Sequence, residues 1–152
     1  MQGLVSVRVV RGSLAAMAAA GQDVAGLVAD LGLEPRQLQE VDGYLPERVW
    51  RDLWIEVERR TGDGCAGIHA AEHVEWGHFD VVDYAIAASG DLASALRLFT
   101  RYFRILNTAT EFVLTETTDG LRVERWMAGD EALSMPRHAA EFSLACTCLL
   151  YT

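Results

Sequence analysis

Apolar residues recur every three to four positions through most of the chain, which is the spacing of an amphipathic α-helix. The pattern is clearest over 46–61, where Pro46 stands in the first turn and Gly62 follows the last one, as is typical of helix boundaries. The apolar positions of this segment fall on one face and comprise Val49, Trp50, Leu53, Trp54 and Val57. We expect this face to lie in the core of the domain.

The same spacing predicts further helices along the chain, most of them bounded by capping residues or glycine. Asp23, Asp80 and Asp91 stand where three of them begin, and a carboxylate there accepts hydrogen bonds from free backbone N–H groups. The predicted segments are 6–20, 24–31, 65–74, 80–88 and 91–106, with a single turn after Pro35 and a last helix opened by Ser134 and Pro136.

Two of these segments leave questions that periodicity does not answer. Val5, Val7 and Val9 alternate with other residues, so the start of the first segment is also compatible with a strand, although we favour a helix. The segment 91–106 is apolar nearly all round. We therefore expect it to be covered by other elements on most sides.

A β-hairpin is predicted at about 110–127, where the apolar period changes from 3.6 to 2. Phe112 and Leu114 belong to this alternation, and Asp119-Gly120 fits a two-residue turn. A hairpin alone is marginal in water, so it must pack on helices or extend into a larger sheet. The expected fold class is α+β, with about seven helices packed on a small antiparallel sheet.

The composition of the chain restricts the classes of partner that it can be expected to bind. Its 152 residues fit one domain, and 13 basic residues, all of them Arg, stand against 22 acidic ones for a net charge of −9. Duplex DNA and anionic membranes attract basic surfaces, so neither is an expected partner of these residues. The longest apolar stretch, 142–151, is about half the length of a membrane span. We expect a cytoplasmic protein in which Cys65, Cys146 and Cys148 are reduced, buried thiols.

The order of several short motifs carries a family resemblance across nearly the whole chain. These motifs are Leu45-Pro46, Trp54, Thr61-Gly62-Asp63, Gly67-Ile68, Gly77-His78-Phe79, Tyr84-Ala85, Ser89, Leu92, Ala95-Leu96, Arg101-Tyr102, Met135-Pro136-Arg137-His138 and Glu141-Phe142. The chain resembles the N-terminal effector domain of AraC/XylS-type transcription regulators. The resemblance is to the subgroup with an arabinose-binding-like, largely helical N-terminal region.

This resemblance implies a bacterial regulator rather than an enzyme. Residues 1–152 would form a single effector-binding and dimerisation domain without a cofactor, and DNA would be bound only by a C-terminal helix-turn-helix domain absent from this sequence. The last helix runs to Thr152 without a stop signal, so we expect the chain to be truncated within its domain. One departure is that the family usually has Gly where this chain has Asp80 and Asp83, which indicates altered packing or ligand specificity.

Ligand contacts are expected between the helix 91–106 and the hairpin. Small-molecule sites are mostly apolar with a few polar anchors, although aromatic residues at helical spacing are also ordinary core residues. Arg101 shares a helix edge with Arg97 and Arg104, which would suit an organic acid or, alternatively, the protein's own carboxylates. The candidate ligand-binding residues are Trp76, Phe79, Tyr84, Arg101, Tyr102, Arg125, Trp126 and His138.

Arg125 needs a partner if the predicted turn is right. The turn at Asp119-Gly120 would set Arg125 opposite Leu114, among apolar side chains and diagonally near Glu116. A buried guanidinium is costly unless it is paired. The partner is then Glu116 or an anionic ligand, whereas a shifted turn would expose Arg125.

Two other functions compete with ligand sensing. His69, Glu72 and His73 fit the H-x-x-E-H pattern of zinc peptidases, with Cys65 one turn earlier, which would make the chain a metal-dependent hydrolase. We favour the simpler interpretation, in which these histidines lie by chance on an exposed face and no metal is bound. The second competitor is a dimerisation module without a ligand.

Overall fold

A computed structural model of the chain describes residues 3–127 and 135–149. These residues form an α+β fold that is mostly helical, as predicted, with eight α-helices where about seven were expected. The helices are α1 Val7–Ala19, α2 Val24–Asp30, α3 Pro35–Gln39, α4 Glu47–Thr61, α5 Ala66–Ala71, α6 Val81–Ala87, α7 Leu92–Tyr102 and α8 Arg137–Leu149. The strands are β1 Leu4–Ser6, β2 Tyr44–Pro46, β3 Thr110–Thr117 and β4 Gly120–Met127. Ser134 lies outside the described residues.

The start of the chain forms a short strand that is followed directly by a helix. Residues 4–6 pair with β2 in antiparallel register, with Val5 opposite Leu45. The Ser6 hydroxyl then accepts a hydrogen bond from the N–H of Arg8 and caps α1. The predicted helix is therefore confirmed from Val7 onward, and the strand that precedes it is three residues long.

The predicted stripe of α4 forms the centre of the core. Trp50, Leu53, Trp54 and Val57 are buried, and the ring of Trp54 lies 4.8 Å from that of Phe142 in α8. The Trp50 indole donates a hydrogen bond to Ser13 Oγ of α1 at 2.9 Å. Helices α1, α4 and α8 thus meet around these rings, and burial of the rings stabilises the fold.

The close approach of α5 and α8 depends on a glycine. A Cβ atom added at Gly67 would lie 2.2 Å from the carbonyl oxygen of His138, which belongs to the backbone and has little freedom to move. Gly67 therefore lets α8 lie against α5. The position of α8 matters because its other face borders the cavity described below.

The expectation that the segment 91–106 is covered on most sides is wrong. The α-helix ends at Tyr102, a 3-10 turn follows at Phe103–Ile105, and within α7 only Ala95 and Phe99 are buried. Leu92 at its start is exposed. The reason is that α7 packs chiefly on α6 and β3, so one face of the helix is left outside the core.

The hairpin forms at the predicted place in a different register. Thr117 pairs with Gly120, so the turn residues are Thr118 and Asp119 rather than Asp119-Gly120, and Arg125 lies opposite Phe112. The shift is two residues, which keeps every side chain on its predicted face because sheet side chains alternate with period 2. Gly120 takes its positive φ of 148° as the first residue of β4. Among the described residues β3 and β4 form a sheet of their own.

The cysteines differ from one another in exposure. Cys146 is buried, whereas Cys65 and Cys148 are exposed, so the prediction of three buried thiols is wrong for two of them. All three are free of disulfides. The two cysteines of α8 lie two residues apart and so point to different sides of the helix. No helix in the described part of the chain combines the length and the apolar character needed to span a bilayer.

Candidate ligand-binding cavity

A small apolar cavity lies inside the helical body, between α1, α4, α6, α7 and α8. The cavity has a volume of about 40 Å³, roughly three times what one water molecule needs. Its lining consists mainly of aromatic and aliphatic side chains, with a few polar ones from α6, α8 and the segment before β3. The lining residues are Val9, Trp50, Phe79, Val82, Asp83, Phe99, Phe103, Leu106, Asn107, Phe142, Ser143, Cys146 and Thr147.

Asp83 is one of two deeply buried polar residues in this lining, and its side chain is held on one side only. The residue is 1% exposed, and its Oδ2 accepts hydrogen bonds from the backbone N–H groups of Gly77 and Phe79, both at 3.0 Å. Its Oδ1 is buried without a hydrogen-bond partner. Burial raises the pKa of Asp83, and the two N–H donors oppose that rise.

Asn107 is the second such residue. It is also 1% exposed, and its Oδ1 accepts a hydrogen bond from the N–H of Ala109 at 2.8 Å, which leaves Nδ2 buried without a partner. This bond assigns the orientation of the amide, because only the carbonyl oxygen can accept from an N–H. Two of the residues that line the cavity thus each keep one buried polar atom, an acceptor on Asp83 and a donor on Asn107, without a partner in the described structure.

These two free atoms are unfavourable for the stability of this region. An unsatisfied buried polar group costs about 1–3 kcal/mol, so Asp83 and Asn107 each lower the free energy of unfolding locally. Small-molecule sites combine an apolar wall with a few such polar anchors. Burial, followed by the charge of Asp83, raises the pKa of the Cys146 thiol to about 12, so this thiol is neutral and serves as an apolar wall.

Of the eight residues predicted from the sequence to bind a ligand, only Phe79 lines this cavity. Trp76 and Tyr84 contact each other edge to face on the surface, with ring centroids 4.9 Å apart, and are 54% and 57% exposed. The alternative interpretation of these two rings as core residues is also wrong. Tyr84 lies on the solvent face of α6, and Trp76 lies in the segment before that helix.

The predicted arginines and aromatic residues near the hairpin do not line the cavity either. Arg97 pairs with Glu116 at 2.7 Å, as the surface alternative predicted. The Arg101 guanidinium stacks 5.5 Å from the Tyr102 ring centroid, and Trp126 is 59% exposed. The arginine edge of α7 therefore faces solvent and gives the cavity no cation.

Arg125 has a different partner from the expected one. Glu116 pairs with Arg97, while Arg125 donates from Nη2 to Thr110 Oγ1 at 3.1 Å and its Nη1 contacts the sulfur of Met135. Its Nε is buried without a partner, and its guanidinium lies 5.8 Å from the Phe112 ring centroid. Desolvation lowers the pKa of Arg125 to about 10, against the opposing charge of Glu47.

Glu47 is a buried carboxylate that sequence reasoning missed as a partner. It stands at the start of α4, is buried, and has one carboxylate oxygen without a partner. Burial raises the pKa of Glu47, and the charges of Arg51 and Arg125 oppose that rise. An acid is common in the first turn of a helix for local reasons, so nothing in the local pattern indicates that the charge of Glu47 acts on Arg125.

His138 lies on the other side of α8, next to α5. It is fully buried, with Nε2 3.6 Å from a carboxylate oxygen of Glu58 and Nδ1 3.5 Å from one of Glu141. These contacts place it among carboxylates and outside the cavity.

The residues of the competing metal site are not assembled. Helix α5 ends at Ala71, so His73 lies beyond it, and His69 Nδ1 contacts Asp63 Oδ2 at 2.7 Å. This pairing raises the pKa of His69 and lowers that of Asp63. Within residues 3–127 and 135–149, no three His, Cys, Asp or Glu side chains are grouped to hold a metal ion.

The space between α7 and the hairpin, where a ligand was expected, is filled by the protein itself. Phe99, Phe103 and Phe112 contact one another there, with ring centroids 4.6 to 5.2 Å apart. The open space lies elsewhere, where Phe99 and Phe103 also border the cavity. Aromatic packing therefore closes the gap in which the sequence placed a ligand.

Asp83 and Asn107 were missed as site residues for different reasons. Asp83 had a signal, since a carboxylate replaces the glycine usual in the resembling family. Asn107 is the only asparagine in the chain, but it follows the long predicted helix and nothing indicated that it would be buried.

The described residues form a small, mostly helical domain that encloses an apolar cavity. Comparison with known families identifies the class of this domain. The family described as the arabinose-binding domain of AraC transcription regulators, N-terminal, matches residues 21–151, and the chain belongs to this family. Comparison with curated proteins found no match.

Proposed function

We propose that this chain is the effector-sensing domain of an AraC-type transcription regulator and that it binds a small organic molecule in the helical cavity. The observation that supports this most directly is the apolar cavity, two of whose lining residues, Asp83 and Asn107, each keep a buried polar atom without a partner. A ligand that satisfies both atoms removes the cost of burying them. The role is binding rather than catalysis.

Effector binding acts through the packing of helices. The cavity has walls from five helices, so a ligand that fits one arrangement of them better than another shifts the population toward that arrangement. DNA is bound by a further helix-turn-helix domain, in keeping with the net charge of −9 on these residues. The effector then changes the affinity for DNA by its differential affinity for the two arrangements.

We also propose that the domain forms a homodimer through the hairpin and α8. Trp126 and Val113 on the hairpin and Leu144 on α8 are exposed apolar side chains. An unpaired hairpin edge is a template for a second copy. Light scattering after size exclusion should give twice the chain mass for the wild type. Trp126→Ser should weaken the dimer, so that half-dissociation occurs at a higher protein concentration than in the wild type. An unchanged monomer mass for both proteins would contradict the dimer.

A thermal-shift screen of small aromatic and aliphatic compounds tests effector binding. A binder at 100 times its dissociation constant should raise the free energy of unfolding by about 2.7 kcal/mol. Cys146→Leu, which fills the cavity, should lose this response, whereas Cys148→Leu on the exposed side of the same helix should keep it. Stabilisation that survives in Cys146→Leu would assign the site elsewhere, and a screen without a stabiliser would favour a dimerisation module without a ligand.

A further inference from the structure

We infer that the ring of Phe79 is a gate between the cavity and a pocket at the surface, and that a ligand fills both spaces once the ring has moved. This inference rests on the proposed function and specifies the entrance and the size of its site. At about 40 Å³ the cavity by itself is well below the roughly 150 Å³ of an engineered cavity that accepts benzene. An effector of that size therefore needs further space.

That space lies next to the cavity, in a surface pocket of about 210 Å³ bordered by β1, β2 and the start of α6. Phe79 and Leu106 line both the pocket and the cavity, so these two side chains stand between them. With the Phe79 ring turned aside, spaces of about 40 and 210 Å³ join to about 250 Å³. We call the surface pocket the outer pocket, and its polar lining includes Arg8, Asp42, Tyr44 and Asp80.

The ring of Phe79 has open space on more than one side. A second surface pocket, of about 50 Å³, shares Phe79 and Cys146 with the cavity. Position 12 of α1, next to the ring, has no side chain, and a Cβ atom added at Gly12 would lie 3.5 Å from a ring carbon of Phe79. Turning this ring therefore gives up fewer contacts than turning a ring in a filled core.

The segment 77–80, which carries Phe79, is tied to α1 by an exposed contact. The N–H groups of Gly77 and Phe79 donate to Asp83 of α6, so these bonds keep the shape of the segment relative to α6. Its link to α1 is the ion pair between Asp80 and Arg8, whose side chains are 44% and 29% exposed. Pairs at such positions contribute little to stability, so this one can break while the domain stays folded.

The joined site suits a molecule with an apolar part and one polar end. Aromatic and aliphatic side chains surround the cavity, whereas the outer pocket presents the charges of Arg8, Asp42 and Asp80. A polar end that bonds to Arg8 or Asp80 competes with the pair between them. Binding and opening therefore favour each other, because the ligand reaches both spaces only when Phe79 has moved.

The Cys146 thiol reports this opening in the wild-type protein. Cys65 and Cys148 are exposed, whereas Cys146 is buried and lines the cavity together with Phe79. Iodoacetamide, which is small and uncharged, should therefore add to two thiols quickly and to the third slowly, as counted from the mass of the intact chain. Phe79→Ala should accelerate the third addition at least about tenfold, because local opening then exposes the thiol.

Phe99→Ala is the matched control for this variant. Phe99 is another buried phenylalanine of the cavity wall, and it is not among the described residues that line the two surface pockets. Any faster third addition in Phe99→Ala should come from global unfolding, so its rate should rise steeply with urea. In Phe79→Ala the rate should be nearly independent of low urea, because opening the gate exposes little surface.

Two variants on α1 should shift the gate in opposite directions. Arg8→Gln removes the pair with Asp80 and should accelerate the third addition about two- to fivefold, whereas Arg11→Gln, at an exposed arginine of the same helix, should leave it unchanged. Gly12→Ala adds a methyl group in contact with the Phe79 ring and should slow the addition. Equal rates in Arg8→Gln and Arg11→Gln would overturn the role of the ion pair.

Two probes of equal length test the ligand class. In Phe79→Ala, 1-hexanol should slow the third addition at least about threefold at a concentration above twice its dissociation constant. The same concentration of 1,6-hexanediol should slow it less, because its second hydroxyl would be buried among apolar walls. Equal protection by both probes, or protection by neither, overturns the ligand class and leaves the gate intact.

The gate fails separately from the proposed function. A third addition that is equally fast in the wild type and in Phe79→Ala, or equally slow in both, overturns the gate. Stabilisation by a compound in the thermal-shift screen would then still support effector binding. If Phe79→Ala does not fold, the comparison of Arg8→Gln with Arg11→Gln decides, since both replace side chains outside the core.

Discussion

Helix α8 borders two buried regions that differ in how completely they are filled. Near its start, Ala139 is fully buried, and Phe142 packs against α4, where its ring contacts the fully buried Trp54. One turn after Phe142, Cys146 lines the cavity, whose wall also includes Asp83 and Asn107 with their unsatisfied atoms. We call the first region the tryptophan core and the second the cavity.

The comparison shows that the cavity contributes less to the stability of the domain than the tryptophan core. The tryptophan core obtains its free energy from close packing of large apolar side chains, although Trp54 Nε1 is also buried there without a hydrogen-bond partner. The cavity loses contacts along its walls and leaves two polar atoms unsatisfied, which is unfavourable unless something else occupies it. A protein tends to keep such a region where binding requires it.

The largest effect is expected from truncation in the tryptophan core. Trp54→Ala should lower the free energy of unfolding by about 3–5 kcal/mol, because it removes a fully buried ring and leaves a void. Urea denaturation measures this loss. Trp126→Ala changes the same residue type at a largely exposed position and should stay within about 0.5 kcal/mol of the wild type at concentrations where the chain is monomeric. Equal losses for the two variants would contradict the assignment of the core.

Enlarging a side chain on α8 separates the two regions directly. Ala139→Leu should destabilise by about 1–3 kcal/mol, since the filled core has no room for three more carbons. Cys146→Leu should leave stability unchanged or raise it by about 0.5–2 kcal/mol, because it fills the cavity. If Cys146→Leu destabilised as much as Ala139→Leu, the cavity would be closed in solution.

The pH dependence of stability should reveal the buried carboxylate of the cavity. Burial raises the pKa of Asp83 in the folded protein, so between the usual pKa and the raised one the folded state binds more protons than the unfolded state. The contribution of Asp83 to the free energy of unfolding is therefore present at low pH and is lost as the pH rises through the raised pKa. Asp83→Asn should remove this decline.

The measurement is the difference in unfolding free energy between variant and wild type from about pH 4 upward. Taking the difference cancels the groups that titrate alike in both proteins, such as Asp91, whose pKa is lowered by its bonds to Ser94. Glu47→Gln, at the other buried carboxylate, should remove a separate part of the decline. A constant difference across the range would contradict the raised pKa of Asp83.

The smallest effect is expected at the loop that leads into the cavity wall. Asp80 has a φ of 52°, which favours glycine, and its carboxylate pairs with Arg8. Asp80→Gly relieves the backbone and loses an exposed ion pair, so the two changes should nearly cancel, to within about 1 kcal/mol. Asp80→Ala loses the pair without relieving the backbone and should be the less stable of the two. The reverse order in urea denaturation would contradict this account.

Local signals predicted elements well and contacts poorly. Asp91 and Gly62 mark real helix ends, because capping involves only neighbouring backbone groups. Asp80 was predicted to cap α6, yet its side chain makes no capping bond and pairs with Arg8 instead, 72 residues away. The hairpin kept its predicted faces but not its turn, because periodicity determines which face a side chain takes and not which residues close the loop.

The candidate site was the least predictable part. Aromatic composition indicated that rings would surround a ligand, but Trp76 and Tyr84 lie on the surface while Trp50 and Phe142 form the wall. Helical spacing places all four on apolar faces and does not say which face meets empty space.

The sequence by itself determined the helical class, the ends of most helices, the family and the acidic net charge, since these follow from neighbouring residues and from composition. Only the tertiary structure decided which gap between helices stays open and which polar atoms remain unsatisfied there. The physical reason is that a cavity is a mismatch in volume and hydrogen bonding among side chains far apart in the chain, such as Val9, Asp83, Asn107 and Cys146. A pattern of neighbouring residues does not contain the information needed to predict that mismatch.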